Sequence, residues 1–502
     1  MMSPEKHEFF ESLRPVRVTY DDVKTLPGPT DPPAPDMHWS EFFDQPPIIP
    51  DISSQFSRNI DVSVPIVGSP MDTVTESKMA IALAKLGGIG VIHPNLTIDE
   101  QKEEARRVKL HLNGLIEKPR TVDETESIES VLNRCEDKGF DFRTFPVVDS
   151  EGRLTGLLTQ NDFDFAEDIS ADVATVMTPL EQILKADQGT PIGDAYTLMT
   201  QSKKKTLPLI DDMGRVTGLY IYSDVKRIVN DKSGSYTVDE NGRLRSVVAV
   251  PTKKDTKERI AEMQHYLDAV VIDTANGDKS YAIKTYEMIR ELFPSLDIIA
   301  GNISVGKSAK MWAEMGADAL RVGQGGGSIC TTRIVTGIGN PQVSAIYECA
   351  REAEKHGIPI IADGGVTKLG DIPVAIAAGA HTVMMGKMLA GTDESPGKVW
   401  TRKDGMKVKT HRGMGSPDAM VDHPERYRID PNTAPLPEGV TGEVPYEGSI
   451  VPLVGNMVKA LRKGLDYCGR RTLQDHRDNT MLGYGTSSAQ REASPHDITI
   501  VG

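Results

Sequence analysis

The sequence predicts an α/β fold, a (β/α)8 barrel interrupted once by an inserted pair of repeats. Three observations predict it. Short β-branched apolar runs ending in Gly, Asp or Ser recur eight times, amphipathic helical patterns alternate with several of them, and one interval of about 150 residues carries an internal repeat.

The runs are PIVGSP (65–70), GIGVIHPN (88–95), SVVAV (246–250), AVVIDTANG (269–277), DIIAGN (297–302), ALRVG (319–323), IIADGG (360–365) and TVMMG (382–386). Each is continuously apolar rather than alternating, which marks a parallel strand buried on both faces. Between them, KERIAEMQHYL (257–267), VGKSAKMWAEMG (305–316) and LGDIPVAIAAGA (369–380) have helical spacing and end at Gly or a polar turn. Eight such strands are the TIM-barrel count, and a barrel of roughly 250 residues plus one insert suits a chain of 502 residues. The predicted boundaries are 1–114 and 230–502 for the two parts of the barrel and 115–229 for the insert.

Within the insert, FPVVDSEGRLTGLLTQNDF (145–163) aligns without gaps with LPLIDDMGRVTGLYIYSDV (207–225), an offset of 62 residues. Two such units close on each other to bury what neither buries alone. The pattern resembles a tandem pair of CBS modules, a Bateman domain. That resemblance implies an adenine or guanine nucleotide as ligand, with Asp162 and Asp224 at ribose positions. Thr159 precedes Asp162 at the usual spacing, whereas Ile221 replaces the hydroxyl residue of the second copy. Nucleotide sensing and a purely oligomerising role both stay open.

The net charge of −15 and pI near 5.3 argue against a nucleic-acid partner bound through a basic surface, so any phosphate must be met locally. Cys135, Cys330, Cys349 and Cys468 are scattered without C-x-x-C spacing, which excludes a zinc motif and a disulfide framework. The opening MMSPEKHEFFESLRP has no apolar signal core and no membrane-length apolar run follows; a cytoplasmic protein with no membrane association is expected. Residues 28–50 are Pro-rich and read as an extended surface segment. Residues 400–449, rich in Gly, Pro and charge, read as a long loop of the kind that serves as an active-site flap.

Barrel sites lie at the C-terminal ends of the strands, with phosphates often in the loops after strands seven and eight. Those loops offer Asp363-Gly364-Gly365 and Gly386-Lys387. Glycines let backbone N–H groups approach an oxyanion, Lys387 adds a cation, and Asp363 can accept both hydrogen bonds of a ribose diol. The pair suggests a nucleoside monophosphate. The loop after strand six, GGGSICTTRIVTGIGNPQ (325–342), adds Ser328 as a phosphate donor and holds Cys330 at the substrate mouth, where it is either an inert buried thiol or a nucleophile.

The strings GSICTTR, SPMDTVTE (69–76), GGIGVIH (87–93), IADGG (361–365), MLAGTDESPG (388–397), RGMGS (412–416) and HD-x-TI (496–500) are collinear over almost the whole chain. They resemble the inosine-5′-monophosphate (IMP) dehydrogenase and GMP reductase family, and the dehydrogenase branch most. The resemblance implies NAD-dependent oxidation of IMP, with Cys330 attacking C2 of the purine. It implies that Asp363 holds the ribose, that Ser328, Gly364, Gly365 and Gly386 hold the phosphate, and that Met414 and Gly415 meet the purine edge. Asp273, Asn302 and Arg321 would line the nicotinamide side. Arg426, supported by Tyr427 and Thr332, would activate the hydrolytic water, with Glu438 as an auxiliary route to Thr332.

The backbone oxygens of Gly325, Gly327 and Cys330 resemble the family's monovalent-cation site for potassium, completed by Glu492, Ala493 and Ser494 of a neighbouring subunit. A homotetramer able to pair into octamers is implied as well. The chain departs from the family pattern at Lys387 and Gly68, where Ser is usual, and at His411, where Tyr is usual. Lys387 and His411 are therefore expected to rebuild the phosphate site jointly, making IMP affinity sensitive to salt and pH. Gln324 and Gly326 replace more restricted residues beside Gly325, which predicts a looser loop. The alternatives are a GMP reductase, which shares the cysteine and the Thr332/Glu438 pair and uses NADPH, and a non-catalytic nucleotide-responsive assembly protein.

Overall fold

The computed structural model describes residues 3–12, 17–29, 49–112, 114–117, 119–137, 143–166, 168–230, 236–422, 436–493 and 495. The chain forms two compact units, Met1–Lys109 with Ser235–Gly502, and Leu110–Gly234.

In the larger unit all eight predicted runs become strands of one closed parallel barrel. They are Ile66–Gly68 (β1), Ile89–Ile92 (β2), Val247–Val250 (β3), Ala269–Ile272 (β4), Asp297–Ile303 (β5), Ala319–Val322 (β6), Ile360–Asp363 (β7) and Thr382–Met385 (β8). Each pairs with its sequence neighbours and β8 pairs with β1, so the ring has no free edge. β-Branched side chains fill the lumen: Val67, Ile89, Val91, Val247, Val271, Ile299 and Ile361 are buried in one core. A hairpin of Ser54–Ser57 and Ile60–Val62 adds Phe56, Ile60 and Val62 to that core. The three predicted helices appear as Thr256–Met263, Gly306–Glu314 and Asp371–Ala377.

The 400–449 segment is more regular than its composition suggests. Trp400–Thr401, Lys407–Arg412 and Thr441–Pro445 form a three-stranded sheet, and Pro417–Asp422 is a short helix. In the strand of Lys407–Arg412 the inward alternation is Lys409 and His411, with Val408 buried on the other face; it is hidden from pattern reading because both inward residues are polar.

The smaller unit contains two four-stranded sheets, each with its own core. Phe145, Val147, Leu158 and Phe163 in one core stand 62 positions before Leu207, Leu209, Tyr220 and Val225 in the other. The copies meet through equivalent residues, because Arg153 and Arg215 form an antiparallel bridge with each other. Leu154 N–H donates to Gly214 and Val216 N–H to Gly152, the same bond from each side. Pairing of equivalent backbone positions is what a local two-fold axis produces. Among the described residues, no helix is long and apolar enough to cross a membrane.

Candidate active site

Cys330 lies in the loop after β6, partly exposed. Its thiol donates to Thr332 Oγ1 at 3.2 Å, and the Thr332 hydroxyl donates to Glu438 Oε2 at 2.7 Å. The backbone enforces this approach. Thr331 N–H donates to the Glu438 carbonyl, Val440 N–H to Ile329, and Cys330 bridges Gly439 as in an antiparallel pair. Residues more than 100 positions apart are thus held in one hydrogen-bonded file. Glu438 N–H in turn donates to the Gly415 carbonyl at 3.0 Å, which brings the Met414-Gly415 turn alongside.

A second cluster sits at the ends of β5, β6 and β7. Arg321, only 6% exposed, bonds Asp363 Oδ2 through Nε and Nη2, both at 2.8 Å, and Asp273 Oδ1 through Nη1 at 3.0 Å. Asn302 Nδ2 donates to the same Asp363 oxygen and to the Gly323 carbonyl, both at 2.8 Å. The predicted dinucleotide-side residues Asp273, Asn302 and Arg321 therefore converge, as braces for Asp363. Oδ2 of Asp363 thus accepts from both Arg321 and Asn302. Gly323 permits the close packing, since a Cβ there would stand 1.9 Å from the Asp363 carbonyl oxygen.

The phosphate candidates divide by exposure. Ser328 and Lys387 are exposed, and Gly364, Gly365 and Gly386 line loops that are partly open. Lys387 opens a one-turn helix, Lys387–Ala390, directly after Gly386. His411 is 2% exposed, and its Nδ1 lies 3.0 Å from Thr73 Oγ1. Burial lowers its pKa to about 4, against an upward pull from Asp72 and with a further downward push from Lys387. Burial thus favours the neutral imidazole of His411. A Cβ at Gly386 would come within 3.9 Å of the His411 ring and 3.0 Å of Met71 Sδ, so the imidazole borders the Gly386 turn. At Gly68 a side chain would meet Thr75 Oγ1 and Leu83 Cδ1 at 2.8 Å; those two residues occupy the room that a serine needs.

Beside Gly325, Gln324 donates through Nε2 to the carbonyls of Ala275 and Asn302 and accepts from Ser304 Oγ at 2.5 Å. The Gly327 carbonyl already accepts from Cys330 N–H at 3.1 Å. Glu492 and Ala493 are exposed near the end of the Ser487–Glu492 helix. Arg426, Tyr427 and Ser494 lie outside the described residues.

Sequence reasoning missed four supporting residues. Asp72 accepts from Arg412 at 2.9 Å and from Asn95 at 3.0 Å, and Asn95 also reaches Met414 Sδ at 3.7 Å. Lys409, 2% exposed, donates to the carbonyls of Thr392 and Ser395 at 2.8 and 2.7 Å. Asp72, Asn95 and Arg412 fall in or beside the quoted strings, but only the fold shows them meeting.

With this geometry in view, similarity to known proteins is informative. Residues 18–496 match the model of the IMP dehydrogenase / GMP reductase domain. The chain belongs to the IMP dehydrogenase / GMP reductase family. Among its relatives are the inosine-5′-monophosphate dehydrogenases of Halalkalibacterium halodurans (38% identity), Bacillus subtilis (37%) and Aquifex aeolicus (39%), each match covering 96% of both chains. Among solved structures, a Cys-to-Ala variant of Trypanosoma brucei GMP reductase in complex with GMP superposes with a TM-score of 0.83. It is 35% identical, over 97% of this chain and 100% of that one. The same reductase in complex with GTP gives 0.74 at 31% identity, over 95% and 100%. As a member of this family the chain is an oxidoreductase.

Proposed function

We propose that this protein oxidises IMP to XMP with NAD, in guanine nucleotide synthesis, through a covalent intermediate on Cys330. The observation that carries the reading is the file from Cys330 through Thr332 to Glu438. Its polarity suits the chemistry, because the thiol donates to the hydroxyl and the hydroxyl to a carboxylate, giving the thiol proton a path away from sulfur. The resulting thiolate adds to C2 of the purine. Hydride leaves C2, and NAD supplies its acceptor. The thioimidate left on Cys330 is then hydrolysed, and cleavage of its C–S bond restores the thiol. Arg426, supported by Tyr427 and Thr332, takes the proton of the attacking water, with Glu438 as an auxiliary route through Thr332 once it has passed the thiol proton to solvent.

The oxidised nicotinamide ring is cationic, and the Asp273, Arg321 and Asp363 cluster carries two carboxylates against one guanidinium. That excess of negative charge, with the partly exposed Asn302 amide, suits the ring. The phosphate is read onto Ser328, Gly364, Gly365 and Gly386, with Lys387 as cation and His411 as a neutral partner. The purine edge falls to Met414 and Gly415. The carbonyls of Gly325, Gly327 and Cys330 form a neutral, oxygen-only set that suits a weakly hydrated monovalent cation such as potassium. Glu492, Ala493 and Ser494 of a neighbouring copy would complete it in a cytoplasmic homotetramer. We read the smaller unit as a tandem CBS pair that binds an adenine or guanine nucleotide. The 62-residue equivalence and the local two-fold pairing support this, and Asp162 is ordered by bonds from Thr159 N–H and Oγ1 at 2.7 and 2.8 Å.

GMP reduction is the second reading, favoured by the likeness to the T. brucei reductase over nearly the full chain. Incubation with IMP and NAD decides between them. The proposal expects NADH release and a purine nucleotide adduct on Cys330 by mass spectrometry. Ammonia release from GMP with NADPH, and no NADH from IMP, would establish the reductase instead.

A further inference from the structure

The arginine that closes the GSICTTR string has no part in the chemistry above, yet its side chain makes three hydrogen bonds within the cysteine loop. Arg333 Nε and Nη2 donate to the Gln324 carbonyl at 3.1 and 3.0 Å, and Nη2 also donates to the Asn340 carbonyl at 2.6 Å. Gln324 and Asn340 are the first and last residues of the connection between β6 and the helix Gln342–Glu354, apart from Gly323 and Pro341. One guanidinium thus ties the two ends of the segment that carries Cys330. Both ends are themselves fixed: Ser304 Oγ donates to the Gln324 side chain, and Asn340 Nδ2 donates to the Ser304 carbonyl at 2.6 Å.

Two glycines make room for the stem. A Cβ at Gly325, where φ is +69°, would stand 2.6 Å from Arg333 Cγ, and one at Gly339 would stand 2.5 Å from Nε and 2.6 Å from Cγ. The side chain is therefore seated in a slot between the two flanks of the loop. We propose that Arg333 is the positioning residue of the nucleophile loop, closing its neck so that Cys330 is presented to Thr332 and Glu438. A planar fork with several fixed donors can hold two carbonyls at once; a lysine ammonium in the same slot has the charge without the fork. The inference rests on the reading of Cys330 as the nucleophile.

The test compares Arg333→Ala, Arg333→Lys and Gly339→Ala in the full-length protein. Gly339→Ala keeps the arginine and its charge and displaces it from the slot, which guards against a fold defect specific to losing the side chain. Amide exchange by mass spectrometry across 325–340, with the barrel strands as internal reference, should speed up in Arg333→Ala and Gly339→Ala and recover in part in Arg333→Lys. Formation of the Cys330 adduct from IMP and NAD should slow by about a hundredfold in Arg333→Ala, the cost of misplacing a reacting group by roughly 1 Å. KM for IMP should rise less than the rate of adduct formation falls, because Asp363, Gly364, Gly365, Gly386 and Lys387 lie outside this loop and of the phosphate residues only Ser328 lies within it. Unchanged exchange, or faster exchange with a wild-type rate of adduct formation, overturns the proposal. If wild-type protein forms no adduct while exchange responds as described, the functional reading fails and the closure of the loop by Arg333 stands.

Discussion

Thr332 Oγ1 lies 2.7 Å from Glu438 Oε2 and accepts from the Cys330 thiol at 3.2 Å, so one hydroxyl connects a thiol to a carboxylate. Removing the hydroxyl while keeping the shape cuts that connection. Thr332→Val should slow hydrolysis of the covalent intermediate by 10²- to 10⁴-fold, the usual range for a lost general acid–base group. Adduct should then accumulate after a burst of NADH. Rapid-quench mass spectrometry of Cys330 makes the check; wild-type turnover without accumulation would remove Thr332 from the mechanism.

Arg321 offers a test of stability. It is buried between Asp273 and Asp363, and Asp273 is itself 5% exposed. Arg321→Met keeps most of the volume and removes the guanidinium that lies between the two carboxylates. Breaking a buried pair in this way costs about 3–5 kcal/mol. The urea midpoint should fall accordingly. Asp363→Asn keeps a hydrogen-bonding group in place and should destabilise less, while raising KM for IMP through the ribose.

The barrel was legible because its eight strands are buried on both faces and therefore read as continuous apolar runs, and the register of the ring adds nothing that the runs contradict. Glycines and single acidic residues at strand ends also located Asp363 and Cys330. The supports were not legible. Lys409 and His411 occupy inward positions on a strand where an apolar residue would have announced itself. Sequence does not reveal that two carboxylates from other strands hold Arg321. Nor does it reveal that Gln324 bonds Ser304, Ala275 and Asn302.

His411 gives a pH prediction with a definite sign. Its folded pKa, about 4, lies below the ordinary value of 6.5, so between these limits the unfolded chain binds more protons. The stability it contributes is complete above roughly pH 6.5 and is lost as pH falls towards 4. The size is roughly 3 kcal/mol. His411→Tyr should flatten the decline in urea midpoint across that window. KM for IMP should not follow imidazole ionisation between pH 6.5 and 8. Lys387→Ala should raise KM about tenfold at low salt, equivalent to ~1.4 kcal/mol, and reduce its salt dependence. An unchanged KM in Lys387→Ala would exclude the lysine from the phosphate site.

Lys409 joins the two pieces of chain that carry Lys387 and His411. It shares a strand with His411, and its ammonium donates to Thr392 and Ser395 just beyond the Lys387–Ala390 helix. Burial pushes its pKa down, with Lys78 adding to the shift and Asp393 and Glu394 opposing it. The group is held there by two carbonyls and not by a paired carboxylate. Lys409→Met fills the same space and leaves both carbonyls without that donor; an unsatisfied buried polar group costs about 1–3 kcal/mol. Lys409→Met should therefore lower the urea midpoint, and it should also raise KM for IMP without a matching fall in kcat, because what it loosens is the spacing between the Gly386 turn and His411. Lys409→Arg, which keeps the donors, should recover part of the affinity. A loss of stability with KM unchanged would reduce Lys409 to a packing residue and leave the geometry of the phosphate loop to the barrel alone.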